Sequence, residues 1–165
     1  MAHITNLIDD EHYMKQALKE ARKARDAGEV PIGAVIAMQG TIIARGYNQV
    51  EILNDPTAHA EIIALTSAFN YLGSKYLPEA TIYVTIEPCV MCCGALYWSK
   101  IGRLVYGAPD PKHGGFGGQS YRPHGARQGP GIQSVRLHPK TEVVNNICAD
   151  ECLLLLQDFF TSKRK

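Results

Sequence analysis

The sequence of 165 residues has no hydrophobic run long enough to cross a lipid bilayer, which requires about 20 consecutive apolar residues. Residues 1–16 contain no apolar stretch of the kind found in secretory signal peptides, and acidic residues come early, so we expect no signal peptide. The formal net charge is only +1, which is too small to predict nucleic-acid binding by itself. The sequence therefore favours neither a membrane protein nor a secreted one.

Cysteine is scarce, and its pattern does not suit a disulfide framework. The chain has 5 cysteines, an odd number, and three of them fall within residues 89–93. Small secreted domains held together by disulfides have even numbers of more dispersed cysteines. We therefore expect reduced thiols and a cytoplasmic protein. A chain of this length can also bury a sufficient core without a metal or a disulfide.

The remaining composition is that of an ordinary globular protein. Hydrophobic residues make up 45% and charged residues 20% of the chain. The length suits one compact domain over residues 1–165. Basic residues outnumber acidic ones only after residue 100, and the chain ends in the sequence KRK.

Hydrophobic periodicity predicts alternating helices and strands. Helices are predicted over residues 9–27, 58–71, 90–100 and 149–163. Strands are predicted over residues 31–38, 41–48, 80–86, 103–108 and 141–146. Gln39-Gly40 is predicted to turn a hairpin, Asp9 or Asp10 to cap the first helix, and a residue near Asp150 to cap the last. The alternation predicts an α/β sandwich in which helices cover one central sheet.

A Cys-x-x-Cys pair provides the first chemical signal. Cys89 and Cys92 are spaced so that two thiolates can meet one metal ion, and Pro88 restricts the backbone just before them. The predicted strand-to-helix turn puts both sulfurs near a helix N-terminus, which favours anions. A redox pair of the thioredoxin type and two core thiols beside Cys93 are the alternatives.

His59 favours the metal interpretation. It opens one predicted strand-loop-helix unit as Cys89 opens the next, so helices packed side by side would bring the three side chains together. One imidazole and two thiolates suit zinc, and a catalytic zinc site keeps its fourth position for water. Glu61 could reach that water and transfer protons without being a ligand. Without the Cys-x-x-Cys pair, the simpler interpretation of His59 is a core histidine, and that of Glu61 is a solvated acid of the first helical turn.

The remaining cysteines are not expected to complete the site. Cys93 follows Cys92 directly and would point elsewhere on the helix. Cys148 and Cys152 are predicted to be ordinary buried thiols.

The HAE of residues 59–61 with the PCVMC of residues 88–92 matches the zinc-deaminase signature H-x-E with P-C-x-x-C. Together with flanking segments, it makes the chain resemble the bacterial tRNA adenosine deaminases of the cytidine/deoxycytidylate deaminase superfamily. These segments are VPIGAVI (30–36), GYN (46–48), DPTAHAEIIAL (55–65), ATIYVTIEPCVMCCGAL (80–96), RLVYGAPDPKHG (103–114) and DECLLLLQDFF (150–160). The resemblance implies a three-layer α/β/α sandwich with a mixed sheet, a homodimer, and conversion of the wobble adenosine of a tRNA to inosine.

The resemblance also implies roles for individual residues. His59, Cys89 and Cys92 would hold Zn²⁺, and Glu61 would be the catalytic proton carrier. Asn48 matches a family asparagine that hydrogen-bonds the base, and an amide can both donate and accept. Its alternative is an ordinary turn residue. The backbone N–H of Ala60 would also contact the base.

Contacts to the rest of the tRNA anticodon loop are expected from two segments. Phe159 and Phe160 could flank a flipped base, and the basic end of the chain could meet phosphate; alternatively, the two rings belong to the core. The irregular segment 115–136 carries Tyr121, Arg122, His124, Arg127 and Arg136, which suit either RNA contact or a solvated loop.

Two further hypotheses remain open. Tyr97-Trp98 resembles a pair found in guanine deaminases, so the substrate could instead be a free nucleobase or nucleoside such as guanine, cytosine or adenosine. The other hypothesis is a structural zinc-binding module without catalysis.

Overall fold

The computed structural model describes the backbone of residues 2–116 and 137–164, and within these ranges the side chains from residue 9 onward. Its helices are α1 (Ala2–Asp26), α2 (Val50–Leu53), α3 (Ala60–Leu72), α4 (Val90–Ser99) and α5 (Ala149–Lys163). Its strands are β1 (Gly33–Met38), β2 (Thr41–Tyr47), β3 (Thr81–Ile86), β4 (Arg103–Ala108) and β5 (Glu142–Val144). Among the described helices, none combines the length and hydrophobicity that a membrane span requires.

The strands form one mixed sheet in the order β2-β1-β3-β4-β5. β1 pairs with β2 and β3 in antiparallel fashion, whereas β3, β4 and β5 run parallel. Parallel neighbours need a crossover connection, and α4 supplies it between β3 and β4. The mixed sheet of the predicted sandwich is therefore confirmed.

Helices cover both faces of this sheet. On one face, α1 and α5 pack against the sheet and form a first hydrophobic core with it. This core includes Met14, Val35 and Leu155. On the other face, α3 and α4 form a second core, to which Leu65 and Leu96 contribute. Because neighbouring residues of a strand point to opposite faces, strands between two helical layers are apolar throughout. The three-layer α/β/α prediction is confirmed.

The predicted hairpin between β1 and β2 is also confirmed. Gln39 and Gly40 have φ values of 51° and 77°, and Met38 pairs with Thr41 across the turn. Two successive positive φ values are typical of the two-residue turns that match the twist of a hairpin.

The predicted cap of the first helix is wrong. α1 starts well before residue 9, so Asp9 and Asp10 lie inside the helix. At α5 the N-cap residue is Cys148, with φ 52°, and Asp150 lies in the first turn. The predicted loop after β2 also contains the short helix α2.

Asp10 has a tertiary role instead of a capping one. Its side chain is buried and accepts two hydrogen bonds from Arg103, at 2.6 and 2.8 Å. The hydroxyl of Tyr83 donates a third at 3.0 Å. Asp10 therefore fastens α1 to β3 and β4, at the edge of the sheet where these two strands begin.

Replacing Asp10 with asparagine is expected to lower the free energy of unfolding by about 3 kcal/mol, because it breaks an ion pair whose carboxylate is buried. This value is the lower end of the range of about 3–5 kcal/mol for breaking a buried ion pair, because the Arg103 side chain is 20% exposed. Urea unfolding followed by circular dichroism measures it. Asp9→Asn, at the exposed neighbouring position, is the control, and equal losses in both variants would contradict the assignment.

Candidate active site

Three potential metal ligands lie at the starts of two neighbouring helices. His59 is the N-cap residue of α3, and Cys89 is the N-cap residue of α4, with Cys92 one turn further. Both N-cap residues have extended backbone angles, which turn the chain from the preceding segment into the helix. α3 and α4 pack on the same face of the sheet. The expected meeting of the three side chains is therefore observed.

The distances within this cluster suit a tetrahedral metal ion. The Nδ1 atom of His59 lies 3.6 Å from the Sγ atom of Cys89 and 3.5 Å from the Sγ atom of Cys92. Zinc bonds of 2.3 Å to sulfur and 2.0–2.1 Å to nitrogen, at tetrahedral angles, separate these atoms by about 3.6 Å. In the part of the chain that the structure describes, this is the only group of three or more such side chains close enough to share an ion.

The charges of the two thiols also favour a cation. Hydrogen bonds from Cys92 and His59 lower the pKa of Cys89 to about 4, against the opposing effect of burial. The pKa of Cys92 moves strongly in the opposite direction, first because of its hydrogen bond with Cys89 and then because of burial. Two adjacent thiols share one negative charge in this arrangement. A divalent cation would allow both to ionise, as thiolate ligands must.

Glu61 lies beside this cluster in the first turn of α3. Its side chain is buried, and burial raises the pKa of its carboxyl to about 7. The nearby charge of Cys89 contributes to this rise in pKa, whereas a hydrogen bond with Cys92 opposes it. The predicted proton carrier is thus next to both sulfurs, in a setting shielded from bulk water.

The other cysteines lie outside the cluster. Cys93 is buried and donates to the carbonyl oxygen of Pro88 at 3.5 Å, so it points away from the ligands as predicted. Cys152 is buried, whereas Cys148 is only half-buried. All five cysteines are free thiols.

Asn48 follows β2 on the side of the sheet that faces α3. A Cβ atom added to Gly46 would lie 2.4 Å from the carbonyl oxygen of Ala60, so β2 and the start of α3 are in direct contact there. Side chains two residues apart on a strand share a face. In addition, the N–H of Gln49 donates to the carbonyl of Ala58 at 3.0 Å. Asn48, which is buried, therefore lies next to the segment that carries His59.

Ala60 is the first residue of α3 and is fully buried. Its N–H is among the four that the start of a helix leaves without an acceptor inside the helix. The predicted contacts of Asn48 and Ala60 with a base stay predictions.

Sequence reasoning missed two buried glutamates near the site. Glu29 accepts hydrogen bonds from Asn48 and from the N–H of Ile52. Glu87 precedes the turn that contains Cys89 and accepts hydrogen bonds from the N–H groups of Asp110 and Phe116, at 3.0 and 2.9 Å. Both bind partners distant in sequence, and a local pattern carries no signal for such contacts.

The segment held by Glu87 supports the turn that contains Cys89. The N–H of Gly115 donates to the carbonyl of Pro88 at 2.9 Å, and Gly114 forms a β-bridge with Cys89. A Cβ atom at Gly114 would lie 2.3 Å from the carboxyl carbon of Glu87, so only glycine permits this approach. Phe116 then stacks on Tyr106.

Other predicted residues lie away from the cluster. Phe159 is 8% exposed and Phe160 is 47% exposed, and α5 packs on the face of the sheet opposite α3 and α4. Tyr97 and Trp98 lie on the exposed side of α4, whereas Cys92 and Cys93 lie on its buried side. Within the segment 115–136, the predicted RNA-contacting side chains of Tyr121, Arg122, His124, Arg127 and Arg136 are outside the described residues.

Comparisons with known proteins agree with this geometry. Residues 7–108 match the model of the cytidine and deoxycytidylate deaminase zinc-binding region. The chain is 43% identical to the tRNA-specific adenosine deaminase of Bacillus subtilis, over 96% of this chain and 93% of that protein. A solved structure from work on A-to-I editing by tRNA:A34 deaminases is 40% identical, with a TM-score of 0.74, and the match covers 88% of this chain and 99% of that one. A guanine deaminase from Bacillus subtilis is 42% identical with a TM-score of 0.58, over 60% of this chain and 64% of that one.

Proposed function

Because this chain belongs to the cytidine and deoxycytidylate deaminase family, we propose that it hydrolytically deaminates adenosine to inosine at the wobble position of tRNA. The observation that carries this proposal is the cluster of His59, Cys89 and Cys92 with the buried carboxyl of Glu61 beside it. The relatives named for tRNA deamination match this chain over nearly its full length, which favours tRNA over a free base.

The side chains divide the chemistry between them. His59, Cys89 and Cys92 would hold zinc, which when bound would lower the pKa of a water molecule to about 7 and so supply the nucleophile. Glu61 accepts a proton from the attacking water and delivers it to the departing amino group. A carbon–oxygen bond forms at C6 of adenine, the carbon–nitrogen bond breaks, and ammonia leaves.

The base and the anticodon loop are bound by residues outside the cluster. Asn48 hydrogen-bonds the base edge, and the N–H of Ala60 provides a further donor at the start of α3. Of the two C-terminal rings, only Phe160 is exposed enough to stack on a base, since Phe159 is buried. Lys163 and Arg164 follow on the exposed end of α5 and can meet phosphate.

A substrate panel tests this proposal against the free-base alternative. The purified protein is incubated with an inosine-free tRNA that has adenosine at the wobble position, and separately with guanine, cytosine and adenosine. Inosine is measured in the tRNA and ammonia in every reaction. We expect one inosine per tRNA and little ammonia from the free compounds. Ammonia from guanine with no inosine in the tRNA would overturn the proposal in favour of a free-base deaminase.

We further propose that the enzyme is a homodimer that uses the exposed side of α4. An apolar stripe over two helical turns is formed by Val90, Met91, Tyr97 and Trp98. Trp98 is 75% exposed. Gly94 lies in the middle of this stripe with open space above it, so a facing backbone can approach closely. Large exposed apolar patches are typical of interfaces between proteins.

Replacing Trp98 with glutamate tests this assignment, because a charge within an apolar interface opposes association. We expect sedimentation equilibrium to give twice the chain mass of 18.1 kDa for the unchanged protein and the single mass for the variant. Tyr71→Glu, at another exposed aromatic outside α4, is the control. If the unchanged protein sediments as a monomer, or if Trp98→Glu remains dimeric, the α4 interface is contradicted.

The cytoplasm is the expected compartment, and a single domain over residues 1–165 is the expected organisation. Free thiols at all five cysteines are consistent with a reducing environment, and the proposed tRNA substrate requires access to the translation apparatus.

A further inference from the structure

Glu29 is a buried carboxylate for which the cluster chemistry has no use. It lies between α1 and β1 and is 1% exposed. One oxygen accepts from the N–H of Ile52 at 2.8 Å, and the other accepts from the side-chain amide of Asn48 at 3.5 Å. A carboxylate buried among neutral donors is costly in free energy, because it gives up its hydration. Such a group is retained where its contacts serve a purpose.

The contact with Asn48 restricts the orientation of the amide. A carboxylate only accepts hydrogen bonds, so it selects the NH₂ end of the Asn48 side chain. The flipped amide would set its oxygen against the carboxylate oxygen of Glu29, and the two would repel. One N–H of Asn48 is therefore used by Glu29, and the Oδ1 atom and the second N–H remain for another partner.

Glu29 also holds the surroundings of Asn48 in place. Its Oε1 atom accepts the hydrogen bond from the N–H of Ile52 in α2, the short helix between Asn48 and His59. The N–H of Asn48 donates to the carbonyl of Ile32 at 3.0 Å, which adds a backbone restraint. Both the backbone and the amide of Asn48 are thus held beside the start of α3.

We propose that Glu29 is a positioning residue that fixes the amide of Asn48 in the orientation that reads the base. This inference rests on the proposed function, because it assigns Glu29 an effect on substrate only through Asn48. A fixed amide presents one acceptor and one donor in known places, so a base edge with the matching pattern is bound without reorganisation. A freely rotating amide would accept the reversed pattern as well.

A double-mutant cycle on kcat/KM tests the proposal. The variants are Glu29→Gln, Asn48→Ala and the combination, assayed on the tRNA or on whichever compound of the substrate panel releases ammonia. Glu29→Gln is expected to lower kcat/KM about 10- to 100-fold, the range expected for a misplaced substrate-binding group. In the Asn48→Ala background the same change is expected to lower it less than about 2-fold, since no amide remains to be positioned.

Glu20→Gln is the matched control, because Glu20 is also a buried glutamate but lies within α1 and pairs with Lys23 and Arg45. Its effect is expected to be the same with and without Asn48. Zinc content is expected to stay unchanged in every variant. If Glu29→Gln does not fold, Glu29→Asp is used instead. It keeps the charge but withdraws it from the Asn48 amide, and the same loss of kcat/KM is expected.

Equal effects of Glu29→Gln in the two backgrounds would overturn the proposal and leave Glu29 a purely structural residue. An Asn48→Ala variant as active as the unchanged protein would also overturn it. Neither result bears on the deamination of the wobble adenosine itself, which is tested separately by inosine formation in the tRNA with the unchanged protein.

Discussion

Replacing Glu61 with alanine is expected to lower the rate of deamination about 100- to 10,000-fold while the protein keeps one zinc ion per chain. This range is typical for the loss of a positioned general acid-base group. Glu61 lies beside the cluster of His59, Cys89 and Cys92 but is not a member of it, so its removal is expected to spare zinc binding. Inosine formation measured under single-turnover conditions and zinc measured by mass spectrometry report the two effects separately.

Glu61→Gln and Glu51→Ala complete this experiment. Glutamine keeps the shape of Glu61 but cannot carry the proton, so its loss of rate is expected to match that of alanine. Glu51 is an exposed acid of α2, and its removal is expected to leave the rate unchanged. Full activity in Glu61→Ala would instead support a zinc-binding module in which this carboxyl has no catalytic part.

Replacing Cys92 with alanine is expected to abolish both zinc retention and deamination. Even substitutions of residues that only support zinc ligands reduce affinity 10- to 100-fold, so removal of one of three protein ligands is expected to raise the dissociation constant by more than about 100-fold. His59→Ala is expected to behave in the same way. Competition with a chromophoric chelator measures the affinity, and addition of excess zinc shows whether activity returns.

Cys93→Ala is the matched control for this prediction, since it removes the adjacent, equally buried thiol. The thiol of Cys93 donates a hydrogen bond to the carbonyl oxygen of Pro88 and lies outside the cluster. The variant is therefore expected to keep zinc and activity. Loss of zinc from Cys93→Ala together with retention by Cys92→Ala would exclude the proposed ligand set.

Features encoded by local pattern could be predicted from the sequence. Runs rich in apolar, β-branched and aromatic residues located all five strands of the sheet within about two residues, and Gln39-Gly40 located the hairpin. The three proposed ligands could be predicted because His59 and Cys89 each open a helix and because H-x-E and P-C-x-x-C make a specific combination. Their convergence required the further assumption that α3 and α4 pack side by side, which the structure confirms.

Features that depend on distant partners could not be predicted. Asp10 looks like a helix cap until its partner Arg103 is known, and the two are 93 residues apart. The same applies to Glu29, whose partner Asn48 is 19 residues away and follows β2. A buried carboxylate and a solvated one look alike in a sequence, because the difference lies in the tertiary environment.

The most direct test of the account compares two tRNAs that differ only at the wobble position, one with adenosine and one with guanosine there. Each is incubated with the unchanged protein and with Glu61→Ala, digested, and analysed for inosine. We expect one inosine per molecule in the adenosine-containing tRNA with the unchanged protein, and none in the other three reactions on the same time scale. Inosine in both tRNAs, or in neither while free bases release ammonia, would contradict it.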